Sequence, residues 1–101
     1  MTAKNYTQIL TEDRRLSILL ILLQSMGYRA NEYLLSSMLD NMAHRISADQ
    51  LRSDLAWLQE QGLVEVETAH DIQVAQLTRR GQDVAQGRAV VPGIKRPSAS
   101  D

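Results

Sequence analysis

Between Leu16 and Met26 the chain places apolar side chains at Leu16, Ile18, Leu19, Leu20, Ile21, Leu22, Leu23 and Met26. That exceeds one stripe at a 3.6-residue period, so the helix it predicts is either central in the core or shared with a second subunit. Thr11 is a good N-cap, with Glu12 and Asp13 near the positive helix end. The predicted helix runs from Thr11 to about Met26, where Gly27 supplies a stop. Residues 1–10 carry no clear period and read as an N-terminal arm, with Tyr6, Ile9 and Leu10 docked or loose.

A second helix fits Asn31 to about Met42, capped by Asn31. Its Leu34, Leu35, Met38, Leu39 and Met42 share one face. After a connection of His44, Arg45 and Ile46, Ser47 opens a third helix with the capping-box pattern S-x-x-Q, and Ile46 and Leu51 are placed as a hydrophobic staple. Ala48, Leu51, Leu55 and Leu58 form its buried stripe, and Gly62 ends it. The period then falls to two. Val64 and Val66 alternate with glutamates, and Ile72 and Val74 alternate with Gln73 and Ala75, which predicts a hairpin of Leu63–Glu67 and Ile72–Leu77 around Thr68-Ala69-His70-Asp71. Thr78 caps a last helix, Arg79 to Gln86. Gly81 in its first turn lets another element approach closely. The predicted fold is mainly α with a β-hairpin, a winged helix-turn-helix of order α-α-α-β-β-α. The domain spans residues 11–86, and an extended C-terminal tail covers residues 87–101.

Composition narrows the chemistry. The 101 residues fit one small domain. There is no cysteine, hence no disulfide framework, thiolate metal site or Cys nucleophile. The eight-residue run Leu16 to Leu23 is far short of the ~20 apolar residues that cross a bilayer. No basic-then-apolar leader opens the chain, so the expected location is the cytoplasm, with no membrane partner. No phosphate loop, H-E-x-x-H or G-x-S-x-G occurs, so neither catalysis nor a cofactor is expected. His44 and His70 are isolated and expected to be solvent-exposed, and no metal site is expected.

Two segments resemble parts of winged-helix regulators. Leu55-Ala56-Trp57-Leu58-Gln59-Glu60-Gln61-Gly62-Leu63-Val64 is similar to the end of a recognition helix and the first wing strand. Leu77-Thr78-Arg79-Arg80-Gly81 is similar to the L-T-x-x-G after the second wing strand. The whole chain, including Gly87 to Pro97, resembles small winged-helix proteins of Mu-like phages and prophages, which are related to arsenic-repressor-type regulators. The resemblance implies a phage or prophage origin, a bacterial host cell and a DNA-binding role. Arsenic-repressor-type proteins sense metal through cysteine thiolates, which this chain lacks.

Under that resemblance, Arg45, Ser47, Gln50, Arg52 and Ser53 are the candidate contacts to double-stranded DNA at the front of the third helix, with Arg79 and Arg80 on the backbone. Charge opposes this assignment. Residues 47–77 hold one basic and six acidic side chains, a balance of −5, against a net charge of −1 for the whole chain. An acidic recognition helix and wing repel phosphate. The function expected from the resemblance is nonetheless a phage-type transcriptional regulator that binds DNA as a homodimer. The alternative is a winged-helix adaptor that docks a basic protein partner and binds no DNA. Leu16, Leu19, Leu20 and Leu23 form the expected homodimer seam. Trp57 is expected to cap the core beneath the hairpin, or else to anchor a partner.

Overall fold

The computed structural model describes residues 3–97. Its elements are α1 (Tyr6–Gln24), a 3-10 turn (Met26–Tyr28), β1 (Arg29–Asn31), α2 (Glu32–Asn41), α3 (Ala48–Glu60), β2 (Val64–Ala69), β3 (Ile72–Leu77) and α4 (Arg79–Ala85). The fold is mixed α/β, with four helices and one antiparallel three-stranded sheet ordered β1-β3-β2. This order is compatible with a winged helix. Residues 98–101 of the predicted tail and the first two of the predicted arm lie outside the described residues.

Three of the four predicted helices fall where their caps place them. The Asn31 side chain accepts from Leu34 N, Ser47 from Gln50 N and Thr78 from Gly81 N, each satisfying an amide that the helix leaves free. Ser47 makes only half of the predicted box, because the Gln50 amide turns inward to Asp54.

The first helix begins five residues earlier than expected, so most of the predicted arm is helical. Asn5 and Gln8 form a full capping box: the Asn5 side chain accepts from Gln8 N, and Gln8 Oε1 accepts from Asn5 N. Tyr6 to Ile9 are exposed. With no core beneath this turn, no apolar period marks it.

A second correction concerns the sheet. Beyond the predicted hairpin, Arg29–Asn31 pairs with β3, with Ala30 opposite Ala75. Three residues are too short for an alternation to show. The hairpin also extends further than predicted, since β2 reaches Ala69 and leaves only His70-Asp71 as its loop. Both loop residues have positive φ, 52° and 65°, as a two-residue type I′ turn requires, and Asn-Gly suits that turn better. Replacing them together, His70→Asn with Asp71→Gly, is expected to stabilise the domain by about 1 kcal/mol. Thermal melting would show this as a rise of about 5 °C in the midpoint. An unchanged or lowered midpoint contradicts it.

The core closes around α1, which packs against α2, α4 and β3. Leu16, Ile18, Leu19, Ile21 and Leu22 are buried among Leu35, Leu39, Leu55, Leu58, Leu63 and Leu77. The residues predicted as a homodimer seam on this helix are therefore taken up, wholly or in part, by the chain's own core. Leu16 and Leu19 are buried by their own chain, and Leu20 and Leu23 are half-buried against the same core. What covers the helix is partly the C-terminal segment. Val91 and Ile94 are buried, Ala89 packs on the core, and the Lys95 amide donates to Glu12 O. The tail that reads as extended in sequence is thus folded back onto α1 over its described part.

Candidate nucleic-acid interface

The seven residues predicted to meet DNA do not form one strip. Arg45, Ser47, Gln50, Arg52 and Ser53 lie at the N-terminal end of α3. Arg80 lies at the other end, where its Nε donates to Gln61 O at 3.0 Å. Along the helix the distance to Gln61 is about 20 Å from Ser47 and about 12 Å from Ser53.

Most of these polar groups are engaged within the chain. Arg45, exposed, donates from Nε to Asp40 Oδ1 at 3.0 Å, and this hydrogen bond raises the guanidinium pKa. The Ser47 hydroxyl caps α3. Gln50 Nε2 donates to Asp54 Oδ1 at 3.1 Å. Arg79 Nε stands 4.0 Å from Asp83 Oδ1, one helical turn along α4. Ser53 is exposed.

Arg52 is the most heavily committed. Its Nε and Nη2 donate to the two carboxylate oxygens of Glu32 at 3.0 and 2.8 Å, and Nη2 also donates to Asp71 O in the hairpin turn. Glu32 Oε2 further accepts from the Gln73 amide at 2.6 Å. One buried carboxylate thus ties the start of α2, the face of α3 and the hairpin tip together. To reach a phosphate, Arg52 would have to abandon Glu32 inside the protein, which is the costly way to break such a pair.

The Arg52 hydrogen bonds hold the Glu32 carboxyl below its ordinary pKa; burial opposes this, and the Gln73 amide adds to it. At Asp13, burial pushes the pKa up, but hydrogen bonds from His44 and Lys95 outweigh it and leave the value lowered. A carboxyl with a lowered folded pKa takes up its proton less readily than in the unfolded chain. Its stabilisation is therefore complete above the ordinary carboxylate range, near about 4, and is lost as the pH falls through the lowered value. The melting midpoint is expected to hold from neutral pH to about 5 and to drop below it. Glu32→Gln should lower the neutral midpoint and flatten the acid decline, with Asp13 supplying the remaining slope. Parallel acid slopes for variant and wild type would exclude Glu32 as a source.

Three polar contacts escaped the sequence reading. Asp54, read as an acidic neighbour of the DNA-facing set, is buried: Arg14 Nε and Nη2 donate to it at 2.5 and 3.1 Å. His44, expected in solvent, is buried, with Nε2 2.7 Å from Asp13 Oδ2. Trp57, expected to cap the core, packs half-buried against it, and its ring also lies against Gly93 of the C-terminal segment. The Arg15 guanidinium lies 3.8 Å over its ring and donates from Nη1 to Gly93 O. These partners stand 40, 31 and 78 positions apart, so no local spacing announces them.

The exposed carboxylates on α3 and the hairpin are Asp49, Glu60, Glu65, Glu67 and Asp71, among exposed neutral residues such as Gln50, Ser53 and Gln59. Among the described residues, Glu67 is the one of these carboxylates in a salt bridge, to Arg29 Nη2 at 2.6 Å. Among the described residues no three metal-ligating side chains converge, and no helix is long and apolar enough to cross a membrane.

Comparison with known sequences finds two relatives. Protein gp26 of Escherichia phage Mu, uncharacterized, is 52% identical over 89 residues, which cover 88% of this chain and 92% of gp26. An uncharacterized protein of Haemophilus influenzae is 40% identical over 77 residues, covering 75% of this chain and 74% of that one. No family model matches the chain.

Proposed function

The chain belongs to the family of phage Mu gp26, and from that premise we propose that it is a winged-helix adaptor of a Mu-like phage, docking a basic protein partner on its acidic α3 and wing. The observation that carries this reading is where the arginines go. Arg45, Arg52, Arg79 and Arg80 all face acceptors of their own chain, and the strongest pair encloses a buried carboxylate. A cation held by a buried carboxylate, as Arg52 is by Glu32, contributes little to counterion release, which supplies much of the affinity of DNA-binding proteins. The exposed carboxylates of α3 and the wing instead attract a basic partner and hasten its encounter.

A second reading keeps the phage-type transcriptional regulator. It is favoured by the order α2, short connection, α3, hairpin, with Ser47, Gln50 and Ser53 exposed at the front of α3. Fluorescence titration against random duplex DNA at two salt concentrations separates the two. The adaptor predicts no binding even at low salt. Tight binding at low salt that collapses as salt rises would install the regulator in its place.

A further inference from the structure

With most of α1 covered from within, exposed apolar side chains gather beside β1. Met26 is 96% exposed, Leu34 48% and Tyr28 41%. Met26 and Leu34 border an open groove of about 430 Å³ whose other walls are Arg29, Ala30, Asn31 and Val74. We infer that this groove, between the 3-10 turn, β1 and the start of α2, is the contact surface for a second copy of the chain.

Three observations point to a second copy. The groove is electrically quiet, since Arg29 is its one charged wall and Glu67 neutralises it at 2.6 Å. A two-fold axis sets a patch against itself, so a patch of mixed apolar and polar walls without net charge can meet its twin. The acidic faces of α3 and the wing would meet theirs with like charges opposed. Next, β1 is the edge of the sheet, and an open strand edge is where a sheet admits another chain. Finally, the turn that displays Met26 is held in an unfavourable conformation. Gly27 and Tyr28 both have positive φ, 67° and 57°, and tyrosine adopts that region at a cost. A strained turn that places a methionine almost wholly in water fits a surface built to be covered. This surface is separate from the acidic face proposed for the basic partner, so the inference stands or falls apart from that reading.

Sedimentation velocity of the full chain from about 1 to about 200 μM tests it. The expected result is a reversible monomer–dimer equilibrium. Met26→Asp and Leu34→Asp, both at exposed positions, should each weaken it about tenfold or more while leaving the melting curve intact. Ile9→Asp, on the exposed first turns of α1, should not. Because the chain has no native cysteine, Met26→Cys gives a second readout. It should form a covalent dimer with a short bis-maleimide, whereas Ser53→Cys should not. A chain monomeric throughout the range overturns the inference. So does a dimer indifferent to both aspartates, or one broken by Ile9→Asp.

Discussion

Gly81→Ala is expected to destabilise the domain by about 3 kcal/mol or more, a large fraction of what holds a domain of this size together. A Cβ at this position would stand 2.2 Å from Leu63 O and 2.6 Å from Leu77 Cδ1. The first of these is backbone and has no rotamer by which to retreat. Leu63 O also accepts from the Thr78 amide at 3.0 Å, the bond that closes the base of the wing. Making room for one methyl group therefore means moving α4 away from the hairpin base or giving up that bond. Urea denaturation reads the loss as a lowered midpoint. Gly27→Ala serves as the comparison. Gly27 has positive φ but nothing within 4 Å of the added carbon, so only about 1 kcal/mol of backbone strain is expected there. If the two variants were equally stable, the close approach of α4 to Leu63 would be refuted.

The second large effect belongs to the pair joining α1 to α3. Asp54→Ala is expected to cost about 3–5 kcal/mol, because it leaves the Arg14 guanidinium charged and unpaired where its side chain is only 8% exposed. Gln50 loses its acceptor in the same step. Removing both charges should hurt far less. Arg14→Met with Asp54→Leu replaces a desolvated ion pair by apolar side chains, an exchange that is often neutral or better. The double-mutant cycle from denaturation midpoints should thus give a coupling of several kcal/mol. A double variant as unstable as Asp54→Ala alone would show that packing at this site, and not the isolated charge, governs its stability.

This pair also explains how the charge count misled the reading of α3. The sequence balance of −5 over residues 47–77 treats Asp54 as part of the exposed face, whereas the fold removes it to the interior against a cation from α1. Arg52, the single basic residue of that stretch, is likewise consumed by Glu32. The face is acidic still, but through Asp49, Glu60, Glu65, Glu67 and Asp71. Charge summed along a segment says how many groups there are; only the fold says which of them meet solvent.

Much of the architecture was nonetheless legible. α2, α3, the hairpin and α4 are marked by side chains within four residues of their ends, namely Asn31, Ser47, Gly62 and Thr78, and by periods that change from 3.6 to 2 after Gly62. The Asn5-x-x-Gln8 capping box was equally present in the sequence and would have placed the start of α1 correctly. It was obscured because the turn it opens is bathed in solvent and lacks an apolar period. β1 had no such signal, since its three residues are a strand only because β3 offers them an edge.

The sequence alone determined the identity and order of the helices and the hairpin, because caps, turn residues and apolar periods act over a few residues through backbone hydrogen bonds and side-chain direction. It also determined that cysteine chemistry has no place in this protein. The tertiary structure alone decided what those elements cover and which charges they cancel: that the C-terminal segment closes over α1 and Trp57, that Arg14 and Arg52 belong to buried carboxylates, and that Met26 and Leu34 are left in solvent beside β1. Those outcomes depend on contacts between residues tens of positions apart, and each carboxylate there takes the cation that the packing brings within reach.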